Sequence, residues 1–88
     1  MLTLEQFKAA RSTLRGVIRD TSLIHSVALS KALGNQVYLK PENMQVTGAY
    51  KIRGAYYKIS TLTQEEKERG LITASAGNHA QGLAYAAQ

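Results

Sequence analysis

Lys40-Pro41-Glu42-Asn43-Met44-Gln45-Val46-Thr47-Gly48-Ala49-Tyr50-Lys51-Ile52-Arg53-Gly54-Ala55 is the stretch on which the reading of this chain turns. The short apolar run before it, Val37-Tyr38-Leu39-Lys40, reads as a strand ended by Pro41, whose missing N–H cannot continue a central ladder. From Tyr50 the period becomes helical, with Ile52, Ala55, Tyr56, Ile59 and Leu62 on one apolar face. Lys51 therefore stands at a helix start among Ala49, Tyr50, Ile52, Gly54 and Ala55. A helical lysine is by default a solvated surface residue. Small and apolar neighbours disfavour its ammonium form, and a neutral amine is what condensation with an aldehyde requires. Gly48 and Gly54 leave room for a flat ring or a neighbouring backbone.

Outward from that block, Leu71-Ile72-Thr73-Ala74 reads as a second strand, and Ser75-Ala76-Gly77-Asn78-His79-Ala80-Gln81-Gly82 as a small-residue turn feeding a final helix. The apolar side of that helix is expected at Ala80, Leu83, Ala84 and Ala87. A turn of this kind presents unpaired N–H groups and the positive end of a helix dipole, which suits a carboxylate or phosphate. The plainer alternative is that Asn78 merely caps the helix.

Towards the amino terminus, a helix is predicted from Leu4 to about Arg15, opened by a capping box of Thr3 and Gln6. Thr21 to Ile24 reads as extended. Val27 to Leu33 reads as a helix closed by Gly34-Asn35 in a left-handed stop. Thr63 and Glu66 form a second capping box, and Gly70 ends that brief helix. The alternation of helices and strands is that of an α/β fold with a parallel sheet flanked by helices. Such a sheet needs more strands than this chain offers, and both its faces covered. The last helix runs to Gln88 without a cap. Residues 1–88 are thus expected to be a single, incomplete, amino-terminal catalytic segment of a larger enzyme, with no regulatory domain.

Composition narrows the function classes. The chain has 88 residues and no cysteine, which removes disulfide and thiolate chemistry and fits a reducing compartment. Its two histidines, His25 and His79, are far apart, so no metal site is expected. The net charge is +5. Lys8, Arg11, Arg15 and Arg19 recur at helical spacing opposite Leu4, Phe7 and Leu14, a pattern ordinary for the solvated face of an amphipathic helix. No aromatic residues interleave with those charges, so no nucleic-acid partner is expected. No apolar stretch has the length of a membrane span. Glu5, Asp20 and the scarcity of serine speak against a transit peptide, and a soluble, cytoplasmic protein is expected.

The two blocks together resemble the signatures of the fold-type II (tryptophan synthase β-like) pyridoxal-phosphate enzymes, and within them the threonine dehydratases (threonine ammonia-lyases). The pattern Lys-x-Glu-x-x-Gln-x-Thr-Gly-Ser/Ala-aromatic-Lys-x-Arg-Gly-Ala is met by Lys40, Glu42, Gln45, Thr47, Gly48, Ala49, Tyr50, Lys51, Arg53, Gly54 and Ala55. The loop Ser-Ala-Gly-Asn-His-Ala-Gln-Gly is unbroken from Ser75 to Gly82. Thr21-Ser22-Leu23 resembles the family's Thr-Pro-Leu, with serine in place of proline.

That resemblance implies a pyridoxal 5'-phosphate cofactor held by Lys51, which then moves the α-proton of an amino-acid substrate. It implies that Tyr50 packs beside the cofactor ring, that Asn78 hydrogen-bonds its 3′-oxygen, and that Ser75, Ala76, Gly77 and His79 receive the substrate carboxylate. Related racemases tend to carry serine where Ala76 stands, and alanine cannot exchange a proton. The implied activity of the full-length family is deamination of L-threonine, or L-serine, to a 2-oxoacid and ammonia. The implied setting is amino-acid metabolism, including isoleucine biosynthesis, in a homo-oligomer. The family's tetraglycine phosphate cradle is absent, since none of the seven glycines are adjacent. The 88-residue chain is therefore expected to be inactive alone. A non-catalytic remnant or interaction module that keeps the motifs is the competing reading.

Overall fold

The computed structural model describes residues 1–88. Helix α1 spans Leu4–Leu14 and opens on the expected capping box, with the Thr3 hydroxyl accepting from the Gln6 N–H and the Gln6 side chain accepting from the Thr3 N–H. Strand β1 (Ile24–His25) pairs antiparallel with β2 (Tyr38–Leu39), Ile24 opposite Leu39 and His25 opposite Tyr38. Between them lies α2 (Val27–Leu33), capped by Ser26 and stopped by Gly34 at φ 63°, a left-handed position that glycine adopts at no steric cost. After a 3-10 turn at Glu42–Met44 come α3 (Lys51–Ser60), α4 (Gln64–Glu68) and α5 (Asn78–Ala86).

Three expectations are corrected here. Leu71 to Ala74 forms no strand and makes no backbone hydrogen bond, and Ile72 is 98% exposed. A strand exists only through its partner, and this segment has no hydrogen-bonded partner within residues 1–88. The only sheet is accordingly the antiparallel β1–β2 pair, and no parallel pairing forms within residues 1–88. The basic stripe is interrupted as well. Arg15 leaves the helix with extended backbone angles, Arg19 lies beyond it, and Leu4 and Phe7 are exposed, so that Leu14 alone carries the buried side of α1. The third correction concerns α5, which turns Gly82 inward and leaves Ala84 and Ala87 exposed.

Burial concentrates around α3. Ile52 is fully buried, and Leu14, Ala49 and Ala55 complete the apolar core. Helix α3 packs on α5 along one side and on α1 along another. Seven of 88 residues are buried, and the chain extends 53 × 31 × 25 Å with a radius of gyration of 16.1 Å. A closed domain of this length has a radius near 12 Å by the usual scaling, about a quarter less. The chain forms its secondary structure around a core of only four apolar side chains.

Candidate active site

The start of α3 is held from behind by polar side chains drawn from three segments. The Arg53 guanidinium donates to both carboxylate oxygens of Glu42, at 2.8 Å and 2.7 Å, and to the Thr21 hydroxyl at 3.1 Å. The Thr21 hydroxyl donates to the same carboxylate. The Lys40 amine donates to the Thr21 carbonyl at 2.7 Å and stands 3.9 Å from Glu42. Gln45, 3% exposed, closes the arrangement: its side-chain oxygen accepts from the Arg19 and Val46 N–H groups, and its amide donates to the Arg19 carbonyl. A forked guanidinium–carboxylate pair of this kind is directional and strong. Hydrogen bonding from Arg53, outweighing burial and helped by Thr21 and the nearby positive charges, holds the Glu42 carboxyl at about 2. No buried side-chain polar atom lacks a partner.

Lys51 is the first residue of α3. It is half-buried, and its amine lies 5.1 Å from the centre of the Tyr50 ring. Gly48 precedes it at φ 71°, in a turn where its N–H donates to the Gln45 carbonyl at 2.8 Å. That conformation explains the glycine. The room expected at Gly54 is not used within this chain, since a side chain there would meet nothing within 4 Å.

The second block ends in a helix start with no cap. Gly77 occupies the capping position, and no side chain accepts from the first turn of α5. The alternative that Asn78 caps the helix is therefore overturned: Asn78 is already the first helical residue, with its side chain exposed and making no hydrogen bond. Within the turn, the Ser75 hydroxyl accepts from the Gly77 N–H at 3.3 Å. The N–H groups of Asn78, His79 and Ala80 meet no acceptor in the chain. Ser75, Ala76 and His79 are exposed, while Gly77 is half-buried.

Packing of α3 on α5 brings the two blocks to one place. Within that contact, an added side-chain carbon at Gly82 would lie 3.1 Å from the Ile52 nitrogen and 3.1 Å from the Lys51 carbonyl carbon. Asn78 is one helical turn before Gly82, on the same face of α5. The backbone that carries Lys51 therefore packs one helical turn from the uncapped start of α5. A hollow of about 750 Å³ lies elsewhere, between α1 and α3 beside Phe7, Leu14, Arg15 and Tyr57; neither Lys51 nor any residue of the Ser75–His79 turn borders it. A primary amine and a set of unpaired helix-start N–H donors are groups suited to a carbonyl compound that carries an anionic group.

Residues 14–88 match the family described as "Pyridoxal-phosphate dependent enzyme". The chain belongs to that family. Among curated relatives, the L-threonine ammonia-lyase of Thermotoga maritima is 56% identical over 88 residues, all of this chain and 22% of that protein. The catabolic L-threonine dehydratase TdcB of Staphylococcus aureus is 50% identical over 90 residues, covering all of this chain and 26% of that protein. The chain therefore spans about a quarter of the relatives it matches. Among solved structures, serine racemase from Dictyostelium discoideum superposes with a TM-score of 0.89 at 38% identity, over 97% of this chain and 28% of that one. The threonine deaminase of T.th. gives 0.83 at 40%, over 98% and 30%. The architecture of this pyridoxal-phosphate family member is that of the fold-type II α/β enzymes over the part it spans. No helix of the chain is long and apolar enough to cross a membrane.

Two features of the site escape the reading of the sequence. Glu42 and Arg53 stand in the quoted block without an assigned role, although opposite charges flanking a helix start are a signal for the pair. Gly82 has no role there beyond its place in the second motif. A lone glycine inside a helical pattern is itself a sign of close packing.

Proposed function

We propose that this chain is the lysine-bearing segment of a pyridoxal-phosphate-dependent lyase that converts L-threonine, with L-serine as a second substrate, into a 2-oxoacid and ammonia. The observation that carries the reading is the α3–α5 packing, which sets the Lys51–Ile52 peptide against Gly82, one turn after the uncapped start of α5. The residues present fit the reactive end of the cofactor: a half-buried primary amine, an aromatic ring beside it, and free backbone donors for an anion. They do not include a nest for the phosphate, since none of the seven glycines are adjacent.

Bound there, pyridoxal phosphate would supply an electron sink for a carbanion at the substrate α-carbon. The Lys51 amine would hold the cofactor carbonyl, and its Nζ is the base placed to take the substrate α-proton. Tyr50 would pack on the ring, and Asn78 would offer its amide to the ring 3′-oxygen. The N–H groups of the Ser75–His79 turn fix the carboxylate, which orients the α-carbon–hydrogen bond towards the amine. Ala76 carries no exchangeable proton, so the turn has no acid/base group at this position, which favours elimination over racemisation. In the net reaction threonine yields 2-oxobutanoate and ammonia: the β-hydroxyl leaves as water and a water returns to release the nitrogen. The place of 2-oxobutanoate in isoleucine biosynthesis, a homo-oligomeric assembly and a cytoplasmic location belong to the same proposal.

The 88-residue chain by itself is proposed to be inactive, because it has a core of only four apolar side chains and no phosphate nest. Addition of pyridoxal phosphate followed by borohydride reduction and peptide mapping tests the site. Label confined to Lys51 supports it, and label spread evenly over all six lysines overturns it. Purified chain that turned threonine into 2-oxobutanoate at a useful rate would overturn the proposed inactivity.

A further inference from the structure

Two glycines lie inside helices of this chain, and they differ. Gly54, in α3, has nothing within 4 Å of the place its side chain would occupy. Gly82, in α5, is buried against the peptide that joins Lys51 to Ile52, with backbone atoms at 3.1, 3.1 and 3.3 Å from the missing carbon. A glycine inside a helix is destabilising relative to alanine, and at Gly82 the compensating gain is closeness. The atoms it faces are main chain, so they cannot rotate aside as a flexible side chain would. Ile52, the only fully buried large side chain, fixes the same peptide.

Resting on the function proposed above, we infer that Gly82 is a positioning residue. Its missing side chain lets α5 lie against the Lys51–Ile52 peptide, and that contact sets the separation between the Lys51 amine and the free N–H groups one turn earlier, at Asn78. A methyl group at position 82 moves the helices apart by a few tenths of an ångström. Displacements of about 1 Å in a reacting pair cost on the order of 100-fold in rate, so Gly82→Ala is expected to slow reaction at Lys51 by roughly 3- to 10-fold, and Gly82→Ser at least as much.

The test is the rate of borohydride-trapped pyridoxyl label at Lys51, per folded molecule, across a pH series. Wild type, G82A, G82S and the packing control Leu83→Ala are compared, the folded fraction being taken from helix circular dichroism. G82A is also made in a Gly54→Ala background, expected to add helix stability, and compared with G54A alone. A drop by the same factor at every pH for G82A and G82S, with L83A unchanged per folded molecule, is the expected result. If wild type labels Lys51 selectively and G82A labels it equally fast, the assignment of Gly82 is overturned while the cofactor site stands. An equal drop in L83A, a displaced pH profile instead of a uniform drop, or loss of the helix signal by G82A in both backgrounds also overturns it. The first outcome traces the effect to general packing, the second to a changed amine environment, the third to folding. Wild-type label spread over all six lysines removes the cofactor site, and the inference with it.

Discussion

The two sides of α3 meet opposite kinds of neighbour. Behind the helix, Thr21, Lys40, Glu42 and Arg53 bond one another, Gln45 bonds the backbone at Arg19 and Val46, and no buried side-chain polar atom is left without a partner. In front, the turn before α5 offers donors that nothing in the chain accepts. Both regions come from motif blocks of the same family, yet one is finished by protein and the other is not. The contrast extends to the helix starts. Helices α1, α2 and α4 carry a Thr or Ser cap, whereas α3 and α5, which bear Lys51 and Asn78, have none. At α3 the forked pair of Arg53 and Glu42 takes over the anchoring. At α5 the requirement falls to water or an anion.

The sharpest way to break this comparison is pH. The Glu42 carboxyl, 18% exposed, is lowered from 4.5 to about 2 in the folded chain. A lowered carboxyl stabilises the fold fully above its unfolded value, and that contribution is lost as pH falls through the folded one. The loss amounts to roughly 3 kcal/mol at most, spread between about pH 4.5 and 2. Helix circular dichroism against pH should show it, and Glu42→Gln should flatten the response. An unchanged response in E42Q would mean the rear network does not anchor α3.

Next in size is Arg53→Lys, which keeps the charge but gives up the fork. It should lower the denaturant midpoint by an equivalent of about 1–2 kcal/mol. Gly54→Ala, facing open space, should raise it by up to about 1 kcal/mol, whereas Gly82→Ala should lower it through the backbone clash despite the same gain in helix propensity. Opposite signs from one substitution at two helical glycines would sharpen the distinction between a helix interior that is merely open and one that is pressed against its neighbour. The smallest effect belongs to Thr63→Ala. It removes the capping box of α4 and should cost about 0.5–1 kcal/mol, read as faster amide exchange confined to residues 64–68.

Local features were legible in the sequence. Both capping boxes, the left-handed stop at Gly34 and the helix bearing Lys51 follow from signals that act within four residues, and each stands where those signals put it. The run 71–74 has as much strand character as Val37–Leu39 but no partner, and pairing is not a property that four residues possess alone. The extent of burial failed for a related reason. Leu4 and Phe7 repeat at the right interval, but an interval says which side faces a neighbour and not whether the neighbour exists. At the site, the residues were nameable from their motifs, whereas the Arg53–Glu42 fork and the Gly82 contact depend on how segments cross in space.

The unpaired stretch from Leu71 to Ala74 has one more consequence. Its backbone edges are open on both sides and Ile72 projects into water, so each molecule displays a ready template for hydrogen bonding to the same stretch of another. Immediately ahead of it stand Glu65, Glu66, Lys67, Glu68 and Arg69, five consecutive charged side chains that act as gatekeepers against stacking of copies. In concentrated solution, those five residues are the charge that stands between copies meeting at the four that follow Gly70.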